Sequence, residues 1–131
     1  MDITKKERDC LVAIGSIDSK FQPRLIDIAK SMKVSAPTAY NLVKRLCKKG
    51  LIEDYKGSIV MTEKGRKMHK DIIMAHRCIE VLLSKAGIDK DCACKDAQKI
   101  DYVIGTKEAR KLLYYIGNPK SCPHGKPIVI A

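Results

Sequence analysis

Apolar positions recur at helical spacing through most of the chain. Residues 3–17 place Leu11, Ile14 and Ile17 at three-residue steps with charged residues among them, which predicts an amphipathic helix. Phe21, Gln22 and Pro23 interrupt the pattern, and 24–32 resumes it with Leu25, Ile28, Ala29 and Met32 on one face. Lys33-Val34-Ser35 reads as a tight turn. Ser35 is a good N-cap, because its hydroxyl can accept from a free amide of the first turn, and Pro37 sits where a first turn tolerates it. The helix that follows buries Ala39, Leu42, Val43 and Leu46 and ends at Gly50. Thr38, Tyr40, Asn41, Lys44, Arg45 and Lys48 line its other side.

Two short β-type runs, 51–55 and 58–62, meet at Lys56-Gly57 and predict a hairpin. A long helix is expected from Thr62 to about Lys85, with Met68, Ile72, Ala75, Ile79, Leu82 and Leu83 as its apolar stripe and Gly87 closing it. Further helices are expected over 91–104 and 106–116, before Gly117-Asn118-Pro119 and a polar tail, KSCPHGKPIVIA. Helix, short helix, turn, polar-faced helix and basic hairpin follow one another in the order of a winged helix-turn-helix. The second helix of such a pair enters the major groove, and the wing lies along the backbone. The expected fold is mainly α: a winged helix-turn-helix at 1–70, then a helical domain at 71–131. Three helices so rich in aliphatics carry more apolar surface than they can bury alone, and a second copy would complete their core. A homodimer also suits this motif, since two recognition helices one helical turn apart read a palindromic site.

Charge sharpens the picture. Among 131 residues, 26 Lys and Arg stand against 15 Asp and Glu, a formal charge of +11. That excess favours an anionic partner, with double-stranded DNA first. No apolar run approaches the roughly 18 residues of a membrane span, and MDITKKERDC lacks the apolar core of a signal peptide, so a cytoplasmic protein without a membrane partner is expected. Six cysteines in such a chain read as reduced thiols or metal thiolates rather than disulfides.

Candidate chemistry lies after the wing. His76 and Glu80 stand four apart on the long helix and share a face, as a salt bridge or a pair of ligands. On the next helix Cys94, Gln98, Asp101 and the adjacent Tyr102 stack on one side. Cys92 is half a turn from Cys94 and converges with it only if Cys92 still lies in the loop. Together these faces offer nitrogen, oxygen and sulfur donors, a mixture suited to iron, manganese, cobalt or zinc. Asp9 on the first helix faces away from Leu11 and Ile14 and is a further candidate.

The strings VSAPTAYNLVKRL, HRCIEVLL, ACKDAQKIDYVI and SCPHGKPI resemble the diphtheria toxin repressor / manganese transport regulator family nearly end to end. That resemblance implies a homodimeric repressor that binds operator DNA when Fe(II) or Mn(II) is plentiful and shuts off metal-uptake genes. It also implies that the SH3-like domain of longer members is missing, since the sequence stops at Ala131. The family's ancillary site uses a His and a Glu on the linker helix and a His on the next. Here His76 and Glu80 match, and Cys94 stands at the third position. The regulatory site matches less well: its positions hold Asp9, Gln98, Asp101 and Tyr102, and an amide and a phenol are weak ligands.

Two metal chemistries follow. One is a mononuclear Fe(II), Mn(II) or Zn(II) ion on His76, Glu80 and Cys94, with Asp9 and Asp101 beside it. The other is an iron–sulfur cluster on three or four of Cys10, Cys92, Cys94 and Cys122. Cys122 and His124 in the tail could fold back toward the site, Cys10 could join if its helix rotates, and Cys47 and Cys78 are assigned to packing. An ion joining Asp9 to the second domain would fix the spacing of two DNA-binding domains. On DNA, Ser35, Thr38, Lys44, Arg45 and Lys48 are expected on phosphates, Tyr40 and Asn41 on base edges, and Lys56 on the wing. The alternatives are an iron–sulfur-cluster or redox-sensing transcriptional regulator of the same fold and a metal-independent DNA-binding dimer. An enzyme is disfavoured, because the sequence has no Gly-rich phosphate loop, nucleophile elbow or HExxH.

Overall fold

The computed structural model describes residues 2–130; residues 1 and 131, the outer bounds of the two expected domains, lie outside the described residues. The chain is mainly helical and forms two compact units, Met1–His69 and Lys70–Ala131.

In the first unit, α1 (Lys5–Asp18), α2 (Leu25–Met32) and α3 (Ala36–Lys48) precede the antiparallel hairpin of β1 (Ile52–Tyr55) and β2 (Ser58–Met61). Thr4 opens α1 with a capping box: its hydroxyl accepts from the Glu7 amide, and Glu7 accepts from the Thr4 amide. Ser35 caps α3 by accepting from the Thr38 amide at 3.3 Å, as its sequence position suggests. Leu11, Ile14, Ile28, Leu46, Leu51, Ile52 and Ile59 are at most 1% exposed and form the core of this unit. Burial of each such side chain stabilises by roughly 1.5–3 kcal/mol.

Lys56 and Gly57 both take positive φ, 51° and 91°, as a two-residue hairpin turn matching the strand twist requires. Asp54 accepts from the Gly57 amide, and Glu53 accepts from the Tyr55 hydroxyl. The hairpin's two carboxylates are thus engaged locally, with Lys56 at its tip. The segment before α2 braces the far edge of the hairpin: the Ile59 amide donates to the Pro23 carbonyl at 2.9 Å, and Arg24 bridges to Ser58.

A long helix, α4 (Glu63–Lys85), follows. Gly65 in its first turn lies against the Leu51 carbonyl; a Cβ there would stand 1.9 Å from that oxygen. In the second unit, α5 (Lys90–Ala97) and α6 (Thr106–Tyr115) accompany the C-terminal part of α4. Met74, Ala75 and Ala109 form a buried cluster, with Ile104 and Ile128 packed on it. The helix expected over 91–104 is shorter than its pattern suggested. Past Ala97 the amides of Lys99, Ile100 and Val103 donate to carbonyls three residues back, and the chain tightens into successive turns. Asp101, in those turns, is 1% exposed.

Candidate metal centre and nucleic-acid interface

Glu80 sits at the middle of the second unit's polar cluster, 2% exposed, with its two oxygens divided between two imidazoles. Oε1 lies 3.0 Å from His76 Nε2, one helical turn away on α4. Oε2 lies 3.1 Å from His124 Nδ1, in the tail. Each histidine meets a second carboxylate through its other nitrogen. His76 Nδ1 is 2.9 Å from Asp101 Oδ2, and His124 Nε2 is 3.0 Å from Asp91 Oδ1. Two thiols complete the cluster. Cys94 Sγ lies 3.4 Å from His76 Nε2, and Cys122 falls within 4.8 Å of donor atoms of both Glu80 and His124.

The tail reaches Glu80 through a tight turn. In Cys122-Pro123-His124-Gly125 the Gly125 amide donates to the Cys122 carbonyl at 2.8 Å. Proline second and glycine fourth is the pattern such turns favour. Bonds from Cys122 to Lys126 and from Ile128 to Lys120 close the loop around it, and the Arg77 guanidinium donates to the Pro127 carbonyl. Cys122, in the tail, is thereby only 5% exposed.

These donors form two overlapping sets, His76–Glu80–Cys94 and Glu80–Cys122–His124, the atoms of each within 4.8 Å of one another. Ligands that share one ion at about 2.0–2.3 Å stand roughly 3–4 Å apart, so the spacing fits. Each imidazole thus stands between two carboxylates, His76 between Glu80 and Asp101 and His124 between Glu80 and Asp91. The hydrogen bonds to Asp91 and Glu80 hold the His124 pKa above its ordinary value. Burial and the Glu80 charge push the Cys94 thiol up, against a hydrogen bond from Gln98 that lowers it. A bound cation reverses that balance in favour of thiolate.

The sequence-derived candidates divide accordingly. His76, Glu80 and Cys94 come together, and Cys122 joins Glu80. Asp101, expected beside the ion, lies 2.9 Å from His76 Nδ1, on the side of the ring opposite the nitrogen that meets Glu80 and Cys94. Cys92 lies within α5 rather than in the preceding loop, so it points away from Cys94 and is exposed. Tyr102 is half-buried in the turns after α5. In the first unit Asp9 accepts from Lys5 at 2.5 Å and from Arg8 at 3.1 Å. Cys10 is fully buried, and burial with the Asp9 charge pushes its thiol up to about 12, a core residue rather than a ready thiolate. Cys78 is buried too, its thiol facing the Ala109 carbonyl. Asp91 carried no signal in the sequence beyond its place beside the N-cap of α5.

In the first unit, Ser35, Thr38, Tyr40, Asn41, Lys44, Arg45 and Lys48 on the α3 side, and Lys56 at the hairpin tip, are all exposed. Lys44 lies over the Tyr40 ring, 5.7 Å from its centroid, and the Ser35 hydroxyl donates to Thr38. Arg45 differs from the rest: its Nε donates to the buried carboxylate of Glu7 at 2.9 Å.

Residues 62–130 match the family model described as the iron-dependent repressor, metal-binding and dimerisation domain. An uncharacterised helix-turn-helix transcriptional regulator of Aeropyrum pernix is 34% identical over 107 residues, 81% of this chain and 59% of that protein. The crystal structure of a hypothetical protein from Sulfolobus solfataricus aligns with a TM-score of 0.80 at 34% identity, over 97% of this chain and 99% of the other. The manganese regulator SloR aligns with a TM-score of 0.78 at 26% identity, over 99% of this chain and 64% of its own. The chain spans less than two thirds of the curated relatives it matches first. No helix among the described residues is long and apolar enough to cross a membrane.

Proposed function

The chain belongs to the family of iron-dependent repressors that includes the manganese transport regulators, and from that premise we propose that it is a metal-responsive, DNA-binding transcriptional regulator acting as a cytoplasmic homodimer. The observation that carries the metal part is Glu80: one buried carboxylate aimed at two imidazoles, each backed by a further carboxylate, with two thiols alongside. His76, Glu80 and Cys94 hold the ion, with Cys122 and His124 as the donors from the tail. The ion is divalent, Fe(II) or Mn(II) as the family's biology favours, and the sulfur donors also admit Zn(II). It supplies the positive charge that lets these acidic groups and thiolates stay deprotonated side by side.

The residues themselves do the rest. Asp101 and Asp91 orient the two rings. Glu80 draws α4, α5 and the tail turn to one point, so occupancy of the site orders the second unit. An ordered second unit favours one dimer geometry, and a ligand that prefers that geometry shifts the population toward the state matching two half-sites. On DNA, Asn41 and Tyr40 read base edges from α3 while Ser35, Thr38, Lys44, Lys48 and Lys56 meet phosphates. The iron–sulfur alternative is not favoured: of its four expected thiols, Cys10 is core and Cys92 faces solvent.

The test compares wild-type protein with Glu80→Gln, both stripped by chelator and reloaded with Fe(II), Mn(II) or Zn(II) without oxygen. Wild type is expected to take up metal and to bind promoter DNA at least tenfold more tightly when loaded. Glu80→Gln should lose both responses. Chelator-insensitive DNA binding by the wild type would sink the metal-sensing reading in favour of a metal-independent dimer.

A further inference from the structure

One buried charge of the first unit is paired on both its oxygens. Glu7 is 1% exposed at the first turn of α1, and both its oxygens are occupied. Oε1 accepts from the Thr4 amide at 2.9 Å and from Lys49 Nζ at 2.6 Å; Oε2 accepts from Arg45 Nε at 2.9 Å. The clamp extends further. Arg45 donates to the Thr4 hydroxyl at 3.1 Å, and Lys49 to the Asp2 carbonyl at 3.0 Å. Arg45 and Lys49 stand in the last turn and at the C-cap of α3, the helix whose exposed side carries Tyr40, Asn41 and Lys44.

We propose that Glu7 is a positioning residue for DNA recognition: it withholds Arg45 and Lys49 from the phosphate backbone and ties the C-terminal end of α3 to the first turn of α1. This rests on the DNA-binding reading above. Leaving Glu7 for an exposed phosphate would strand a buried carboxylate without its cations, which costs far more than one screened surface contact returns. The two cations therefore remain with Glu7 when DNA binds. Lys44, Lys48 and Lys56 set the electrostatic part of binding, and α3 enters the groove at an angle fixed at its C-terminal end. The arrangement limits sequence-independent attraction, which grows with each cation offered to phosphate.

Salt dependence reads this directly. Each phosphate contact adds about 0.9 to the magnitude of the slope of log affinity against log salt. The metal-loaded full chain, Arg45→Ala and Glu7→Gln would be titrated against a mixed-sequence DNA duplex over a range of salt. Arg45→Ala is expected to keep the wild-type slope. Glu7→Gln, with both cations released, should be steeper by about 1–2 and tighter at low salt. A triple variant, Glu7→Gln with Arg45→Ala and Lys49→Ala, should return to the wild-type slope, which a merely structural role for Glu7 would not produce. A shallower slope for Arg45→Ala, or an unchanged one for Glu7→Gln, overturns the Glu7 assignment while leaving DNA binding intact. Absence of salt-dependent binding by the wild type overturns both readings.

Discussion

At Gly65 a single added methyl group would meet backbone. Its missing Cβ would lie 1.9 Å from the Leu51 carbonyl oxygen and 2.9 Å from the carbonyl carbon, so the obstacle is backbone and cannot rotate aside. Helix propensity alone would make Gly65→Ala favourable by up to about 1 kcal/mol. The clash reverses the sign, and we expect the substitution to destabilise the first unit by ~2 kcal/mol, in the range of overpacked cores, measurable as a lower urea midpoint. Other residues also show how far a sequence speaks at this scale. His76 and Glu80 were legible because a fixed i, i+4 spacing on one helix puts them on one face. Asp101 was expected beside the ion, and its 2.9 Å contact with His76 was not foreseen. Its position depends on α5 ending at Ala97 and on three-residue turns that periodicity does not encode. Asp91 was invisible, since only the returning tail gives it His124 to hold.

At the scale of elements, caps and turns made the first unit readable. Ser35 and Lys56-Gly57 announce an end and a turn by local chemistry, and the three helices and hairpin fall close to their expected positions. What local chemistry could not announce is how elements are joined, and Glu7 joins α1 to α3. Burial pushes its pKa up, but the Lys49 ammonium, the Thr4 amide and Arg45 outweigh burial and hold it below 4.5. A carboxyl with a depressed folded pKa contributes stability that is present above its unfolded value. That contribution is lost as pH falls through the folded value. Wild-type protein should therefore lose stability as pH drops below about 4.5, and Glu7→Gln should lack this component of the loss. Urea unfolding followed at several pH values tests it; parallel curves for the two proteins would show that the clamp contributes nothing to folding.

At the scale of the whole molecule, the second unit leaves large side chains uncovered. Ile100 and Val103 are 42% and 66% exposed, and Tyr114 and Tyr115 are 76% and 83% exposed. Exposed side chains of this size are what a partner surface would cover. Residues 62–130 match a family domain described as serving dimerisation, and in the homodimer proposed above a second copy of the chain would cover this surface and would also place two α3 helices for a two-fold DNA site. The high positive charge works against close approach of two copies, so association should strengthen with salt while DNA binding weakens. Opposite salt responses separate the two interfaces in one protein. Sedimentation should give twice the 14.6 kDa chain mass at micromolar concentration, and the thermal midpoint should rise with protein concentration, as it does when folding and association are linked. A monomer mass at all concentrations, with a concentration-independent midpoint, would show that the exposed tyrosines are covered by something other than this chain. The metal response would then need an explanation within a single copy.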